Sequence, residues 1–186
     1  MVEDKIILGI DPGTNVLGYG LIHIKGNKLS LINFGVIQLS KFPTHPDKLK
    51  KIFERLDAVI KEYRPDEMAI EAPFFGQNVQ SMLKLGRAQG VAIAASLSNN
   101  VPFEEYTPRI IKQAVTGNGN ASKEQVAAML QTLLSFTDMP KYLDATDGLA
   151  VAVCHHFSKG VGDHNKTKGN KWESFLKENP ERKLRG

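Results

Sequence analysis

Cysteine is nearly absent from this chain of 186 residues, because Cys154 is the only one. A single thiol excludes a disulfide within the chain and any zinc site that is built from several cysteines. It also fits a reducing compartment, and we expect a cytoplasmic protein. No secretory signal is expected, since Glu3 and Asp4 precede an apolar run that is too short for one.

Long apolar segments and common nucleotide-binding loops are also lacking. The longest uncharged run, residues 88–103, is interrupted by glutamine, serine and asparagine, so no membrane-spanning helix is expected. There is no glycine-rich Walker loop. Ser81, Cys154 and the histidines form no recognisable pair of nucleophile and base.

The net charge of +4 is carried by the last part of the chain. Of the 24 basic and 20 acidic residues, eight and four respectively lie in residues 158–186, which leaves residues 1–157 neutral. The basic balance is therefore only a weak indication of nucleic-acid binding, and a solvated basic tail explains it equally well. We expect one domain over residues 1–157 and a basic, flexible tail over residues 158–186.

Apolar periodicity predicts an α/β fold. The predicted strands span residues 6–11, 17–24, 29–39, 67–71 and 101–106. One predicted helix ends at Tyr63, and three others cover residues 78–99, 108–115 and 144–156. A fifth begins at the capping box of residues 122–125. A hairpin joins the first two strands and helical crossovers join the later ones, which predicts a mixed five-stranded sheet flanked by helices. The small residues of the helix at 78–99 would let a neighbouring backbone approach, so we expect packing on both of its sides.

Four carboxylates stand at the ends of predicted elements. Asp11 and Glu71 each end a strand, and Asp144 and Asp147 share one face in the first turn of a helix. If the two strands are parallel neighbours, these acids meet at the carboxyl edge of the sheet, where α/β proteins bind ligands. Each acid alone has an ordinary alternative role: a turn residue for Asp11, a solvated strand end for Glu71 and a helix cap for Asp144.

A group of four convergent carboxylates requires a compensating cation. Ligands that are all oxygen atoms suit a hard ion such as Mg²⁺ or Mn²⁺ rather than zinc. Two such ions about 4 Å apart serve phosphodiester hydrolysis, because they activate water and stabilise the leaving oxygen.

Four segments of the chain resemble the RuvC family of Holliday-junction resolvases. They are GIDPG at residues 9–13, AIE at 69–71, KLGRAQGVAI at 84–93 and DATDGLA at 144–150. Their order and spacing match the family over residues 5–157. The runs at 84–93 and 144–150 are specific, whereas GIDPG alone is a weak signal.

The resemblance implies an RNase H-like fold and a homodimeric endonuclease with two Mg²⁺ ions per active site, which Mn²⁺ can replace. The family nicks opposite strands of a four-way DNA junction in homologous recombination and DNA repair, beside the branch-migration helicase complex (RuvA and RuvB). Asp11, Glu71, Asp144 and Asp147 match the family's catalytic carboxylates, with Asp11 bridging the two ions. Some relatives have histidine in place of Asp144, so that ligand is the most replaceable.

The resemblance also concerns basic and aromatic residues. Lys112 and Lys123 match family lysines that are important for activity, and Phe74 matches an aromatic residue that stacks on bases at the junction centre. Since a lysine in the first turn of a helix opposes the helix dipole, an external phosphate is a reasonable partner for Lys123, with a solvated surface lysine as the alternative. A core position remains the alternative for Phe74. The residues expected to contact DNA are Phe74, Lys84, Arg87, Arg109, Lys112 and Lys123.

Two symmetric nicks require two active sites in a twofold relation, so a homodimer follows, with the helix at residues 78–99 as its candidate interface. Three other functions stay open. GIDPGT also resembles the phosphate loop of actin-like ATPases and sugar kinases, which need a second domain to close over ATP. A non-catalytic junction-binding protein and an RNase H-like nuclease for RNA–DNA hybrids or simple duplex are the others.

Overall fold

The computed structural model describes residues 4–26, 28–73, 78–136 and 144–161, with side chains in the last helix described as far as residue 158. The strands are β1 (Asp4–Asp11), β2 (Val16–Lys25), β3 (Lys28–Gln38), β4 (Glu67–Glu71) and β5 (Phe103–Tyr106). The helices are α1 (His45–Tyr63), α2 (Val79–Ser98), α3 (Pro108–Thr116), α4 (Lys123–Leu134) and α5 (Asp144–Val161).

The strands form one sheet in the order β3-β2-β1-β4-β5. β1 pairs antiparallel with β2 and β2 with β3, whereas β4 pairs parallel with both β1 and β5. The hairpin is therefore antiparallel and the strands reached through helices are parallel, as the connection lengths require. This is the predicted RNase H-like, mixed five-stranded α/β fold.

Helices cover both faces of the sheet. Alternation along β1 sends Ile7 into a core with α3, α4 and α5, and sends Leu8 and Ile10 into a second core with α1 and α2. Within the ranges that the structure describes, no helix is both long and apolar enough to cross a membrane.

Two helix boundaries differ from the predicted ones. The two prolines of residues 41–47 predict a loop there, yet α1 begins at His45. The reason is that Thr44 caps the helix by accepting from the Asp47 backbone N–H at 3.3 Å. Pro46 fits the first turn, where its missing N–H costs nothing. α5 continues to Val161, past the predicted end at 156 and the predicted domain boundary at 157. The rest of the predicted tail lies outside the described residues.

The prediction that α2 is packed on both sides is wrong for the single chain. Its inner face buries Ala88, Ala92 and Ala95 in the core that it shares with α1. The outer face is exposed, with Leu83 at 52% and Leu97 at 55% of their full accessibility.

Candidate active site

The ends of β1 and β4 bring two acids to one edge of the sheet. The parallel ladder between these strands runs as far as the pair Ile10–Ile70, and Asp11 and Glu71 follow directly. Because side chains alternate along a strand, Asp11 points to the same face as Ile7, which lies beneath α5. The two strands are therefore parallel neighbours, the condition under which Asp11 and Glu71 were expected to meet.

The start of α5 lies against this edge of the sheet because glycines at the contact have no side chain to hold the helix away. Gly18 pairs with Asp11 across the hairpin, and a Cβ at Gly18 would overlap the backbone oxygen of Asp144. A Cβ at Gly148 would lie 2.6 Å from the Cα of Tyr19, closer than real Cβ contacts come. The backbone of α5 thus rests directly on β2, and Asp144 and Asp147 lie beside Asp11.

Most of the predicted catalytic residues line one pocket of about 220 Å³. Its polar wall is formed by Asp11, Glu71, Asp147, Lys112 and Lys123. Apolar side chains of α3, α4 and α5 line the remainder. Asp144 lies outside the lining, at the rim of the same group of charges.

Lys123 links the acids to α4. The capping box of Ser122 and Gln125 starts this helix, as predicted, and places Lys123 at its first residue. Its ammonium lies 2.5 Å from the Oδ2 of Asp147 and 3.6 Å from the Oδ1 of Asp144. In the protein alone, the partner of this lysine is therefore an acid of the same site.

The electrostatics show an excess of negative charge. Burial raises the pKa of Asp11 well above its usual value, and the charges of Glu71, Asp147 and Asp144 raise it further, against the opposing effect of Lys123. Burial, followed by the charge of Asp147, raises the pKa of Glu71 to about 7, although Lys123 and Lys112 oppose this shift. Burial, together with the charges of the neighbouring acids, therefore favours the protonated form of both carboxyl groups.

The donor chemistry of this site fits a hard divalent cation. The available donors are carboxylate oxygens, and the repulsion between these acids, which contributes to their raised pKa values, would be relieved by a divalent cation. Among the residues that the structure describes, no three acidic, histidine or cysteine side chains are yet close enough together to hold a metal ion. A cation held by these acids would therefore require their side chains to move closer together.

The other predicted DNA contacts lie outside the pocket. Arg109 is exposed on α3, and Lys84 and Arg87 are exposed on α2. Burial lowers the pKa of His45 at the start of α1, and the charges of Arg87, Lys84 and Lys48 lower it further. Lys84 and Arg87 thus belong to a basic region outside the pocket. His45 and Lys48, which the sequence did not single out, belong to the same region. Phe74 lies outside the described residues.

Residues 7–155 match the family described as crossover junction endodeoxyribonuclease RuvC. The chain belongs to the RuvC family. A RuvC protein of Cytophaga hutchinsonii is 68% identical over 179 residues, covering 96% of this chain and 88% of that one. A RuvC protein of Bacteroides fragilis is 56% identical over 183 residues, covering 97% of each chain.

Solved structures agree with this membership. RuvC of Thermus thermophilus in complex with a Holliday junction substrate has a TM-score of 0.79 and 33% identity, over 85% of this chain and 96% of that one. The yeast mitochondrial Holliday junction resolvase Ydc2 has a TM-score of 0.62 at 15% identity, over 91% of this chain and 84% of that one, and supports the fold alone. The predicted resemblance to RuvC is therefore confirmed.

Proposed function

We propose that this protein resolves four-way DNA junctions by hydrolysing one phosphodiester bond in each of two opposite strands. The observation that carries the proposal is the convergence of Asp11, Glu71 and Asp147 in one pocket with Lys112 and Lys123, within a chain of the RuvC family. A Thermus thermophilus relative has been seen with a Holliday junction substrate, which supports the same substrate class here.

Asp11, Glu71 and Asp147, with Asp144 at the rim, are the residues that would hold Mg²⁺, two ions per site in our proposal, with Mn²⁺ as a substitute. Bound ions of this kind supply Lewis acidity for activating a water molecule and for stabilising the leaving oxygen. The chain contributes an oxygen-only ligand set on three separate elements, which the glycine contacts of α5 hold at one edge of the sheet.

Lys123 serves in this proposal as the internal counter-ion of the free site. Its ammonium faces Asp147 and Asp144 in the absence of other cations. With these acids compensated by a bound cation, the ammonium would be available to a backbone phosphate of DNA. Lys112 lies in the same pocket, and we assign it a phosphate contact as well.

The surface around the pocket provides further contacts for the junction. Lys84, Arg87 and Arg109 are exposed cations, and phosphate contacts of this kind give salt-dependent binding with little reading of base sequence. By family resemblance, Phe74 would stack on bases at the centre of the junction. We further propose that the protein acts in recombination and repair with the branch-migration helicase complex.

A homodimer would place two such sites in a twofold relation, matching the approximate symmetry of a four-way junction. The exposed outer face of α2 supports this assembly, because Leu83 and Leu97 lie uncovered there and an added side chain at Gly86 or Gly90 would meet nothing within 4 Å. The nuclease domain predicted for residues 1–157 would extend to the end of α5 at Val161, with a basic tail after it.

The test compares a mobile four-way junction with linear duplex and with an RNA–DNA hybrid, each with and without Mg²⁺. Paired nicks in the junction alone, and only with the metal, are expected. Equal cleavage of the hybrid or duplex would favour another RNase H-like nuclease, and binding of the junction without cleavage would favour a non-catalytic protein.

A further inference from the structure

A buried polar network lies behind the carboxylate site, centred on His155 of α5. The imidazole is fully buried. Its Nδ1 shares a hydrogen bond of 2.8 Å with the hydroxyl of Tyr106, and its Nε2 one of 2.7 Å with the Oε2 of Glu67. The same carboxylate oxygen lies 2.7 Å from the Nζ of Lys5.

The protons of this network can be arranged so that both ring nitrogens have a partner. Burial raises the pKa of Tyr106 to about 12, and its protonated hydroxyl is able to donate to Nδ1. In that arrangement Nε2–H donates to the carboxylate of Glu67, which also pairs with Lys5. Each ring nitrogen is then matched with a partner of the opposite type, as buried polar groups require.

The network connects each element that carries an acid of the site. Lys5 lies on β1 with Asp11, Glu67 lies on β4 with Glu71, and His155 lies on α5. Tyr106 pairs with Glu71 in the ladder between β4 and β5, and its carbonyl accepts from the backbone N–H of Ala72 at 2.8 Å. Four side chains therefore join the elements on which the four carboxylates stand.

These directional hydrogen bonds add resistance to sliding of α5 along its axis. At Gly18 and Gly148 the helix meets β2 through backbone surfaces, which set its distance from the sheet. The apolar side chains of α5 also hold the helix in place, through close packing in the core. Hydrogen bonds between buried groups resist sliding strongly, because a small slide would leave donors and acceptors without partners.

We propose that His155 is a positioning residue, which fixes the place of α5 along the sheet through Tyr106 and Glu67. Asp144 and Asp147 thereby reach the same cation-binding site as Asp11 and Glu71. The inference rests on the proposed function for its link to cleavage, but its link to metal binding can be measured without DNA.

The test uses the full chain with the substitutions His155→Leu and Tyr106→Phe. Mn²⁺ binding is measured by electron paramagnetic resonance without DNA, and junction affinity is measured without metal. Cleavage is then followed at saturating junction. Removing groups that orient metal ligands typically weakens metal binding or activity by about 10- to 100-fold. We expect a loss in this range for His155→Leu, a smaller loss in the same direction for Tyr106→Phe, and unchanged junction affinity for both.

Val59→Ala is the control, because Val59 lies in the core on the other face of the sheet and its truncation lowers stability without touching the network. It should lower the melting temperature but keep Mn²⁺ affinity. A folded His155→Leu protein that binds Mn²⁺ like the wild type would overturn the inference. If that variant does not fold, unchanged Mn²⁺ affinity in Tyr106→Phe would overturn it. A wild type that binds Mn²⁺ but leaves junctions intact would overturn the proposed function alone.

Discussion

Lys123 and Asp147 form the closest ion pair of the acidic site, with 2.5 Å between Nζ and Oδ2. Burial lowers the pKa of Lys123, but the hydrogen bond to Asp147 and the charges of Asp147, Asp144 and Asp11 outweigh it, so the pKa is raised. The ammonium therefore stays charged and occupies part of the space that a divalent cation would need.

Replacing this lysine should separate metal binding from catalysis. Lys123→Met removes a competing cation, so Mn²⁺ should bind roughly two- to fivefold more tightly without DNA, the range expected for a partly exposed ion pair. Cleavage should nevertheless fall by about 100-fold, because a cation that stabilises phosphate in the transition state is lost. Calorimetry and single-turnover cleavage measure the two effects.

Lys61→Met is the matched control, since Lys61 forms a comparable ion pair with Asp57, at 2.7 Å, on the surface of α1. It should change neither quantity. Weaker Mn²⁺ binding by Lys123→Met would contradict the role of Lys123 as an internal counter-ion.

The raised pKa of Glu71 predicts a pH-dependent stability of the metal-free protein. A carboxyl group with a raised folded-state pKa stabilises the fold below its ordinary value, and this contribution is lost as pH rises through the folded value. For Glu71 the window runs from its ordinary pKa of 4.5 to about 7. The melting temperature of the wild type should therefore fall, relative to Glu71→Gln, across this window. Mg²⁺ should restore more stability above the window than within it.

Thermal melts of both proteins with and without Mg²⁺ provide the measurement. Glu54→Gln, a substitution on the exposed side of α1, should melt in parallel with the wild type at each pH. Parallel curves for the wild type and Glu71→Gln would show that Glu71 carries no raised pKa.

Gly18 should be intolerant of even one added carbon. Gly18→Ala places a Cβ against the backbone oxygen of Asp144, so α5 must move away from Asp11. We expect a loss of about 1–3 kcal/mol in the free energy of unfolding from this overpacking. Misplacing catalytic groups by about 1 Å costs about 100-fold in rate, and cleavage should fall to that extent.

Gly35→Ala is the comparison, because the atoms nearest to its Cβ would belong to the Tyr19 side chain, with the hydroxyl at 3.0 Å. Denaturant melts and cleavage rates are measured for both variants. Full activity in a folded Gly18→Ala protein would show that the close contact does not position the acids.

A large side chain on the exposed face of α2 should be compatible with the folded monomer but should prevent dimer formation. Gly90 has open space around it, so Gly90→Trp should fold, yet its indole would block the approach of a second α2. Sedimentation velocity should then show a monomer, whereas the wild type and Lys50→Trp on α1 should sediment as dimers. A dimeric Gly90→Trp protein would exclude this face as the interface.

Much of the site follows from local rules in the sequence. Asp11 and Glu71 end strands that pair in parallel, and Asp147 follows Asp144 by three residues in a first helical turn. Strand pairing and helix periodicity alone therefore predicted that these acids converge. The capping box at Ser122 likewise predicted where α4 begins.

Contacts that depend on tertiary packing could not be predicted in this way. Glycine within a strand can indicate close backbone approach, but the sequence does not say that Asp144 is what approaches Gly18. The bond between His155 and Glu67 joins residues 88 positions apart, and no local pattern marks either as a partner. The pair of Lys123 with Asp147 depends on the packing of α4 against α5 in the same way.

The central claim is that Asp11 and its neighbouring acids form a metal-dependent centre that cleaves junctions. The most direct measurement is cleavage of a synthetic four-way junction, labelled in turn on each strand, by the wild type and by Asp11→Asn in Mg²⁺. We predict paired, symmetric nicks by the wild type, and junction binding without nicks by Asp11→Asn. An Asp11→Asn protein that still cleaves the junction would contradict the account.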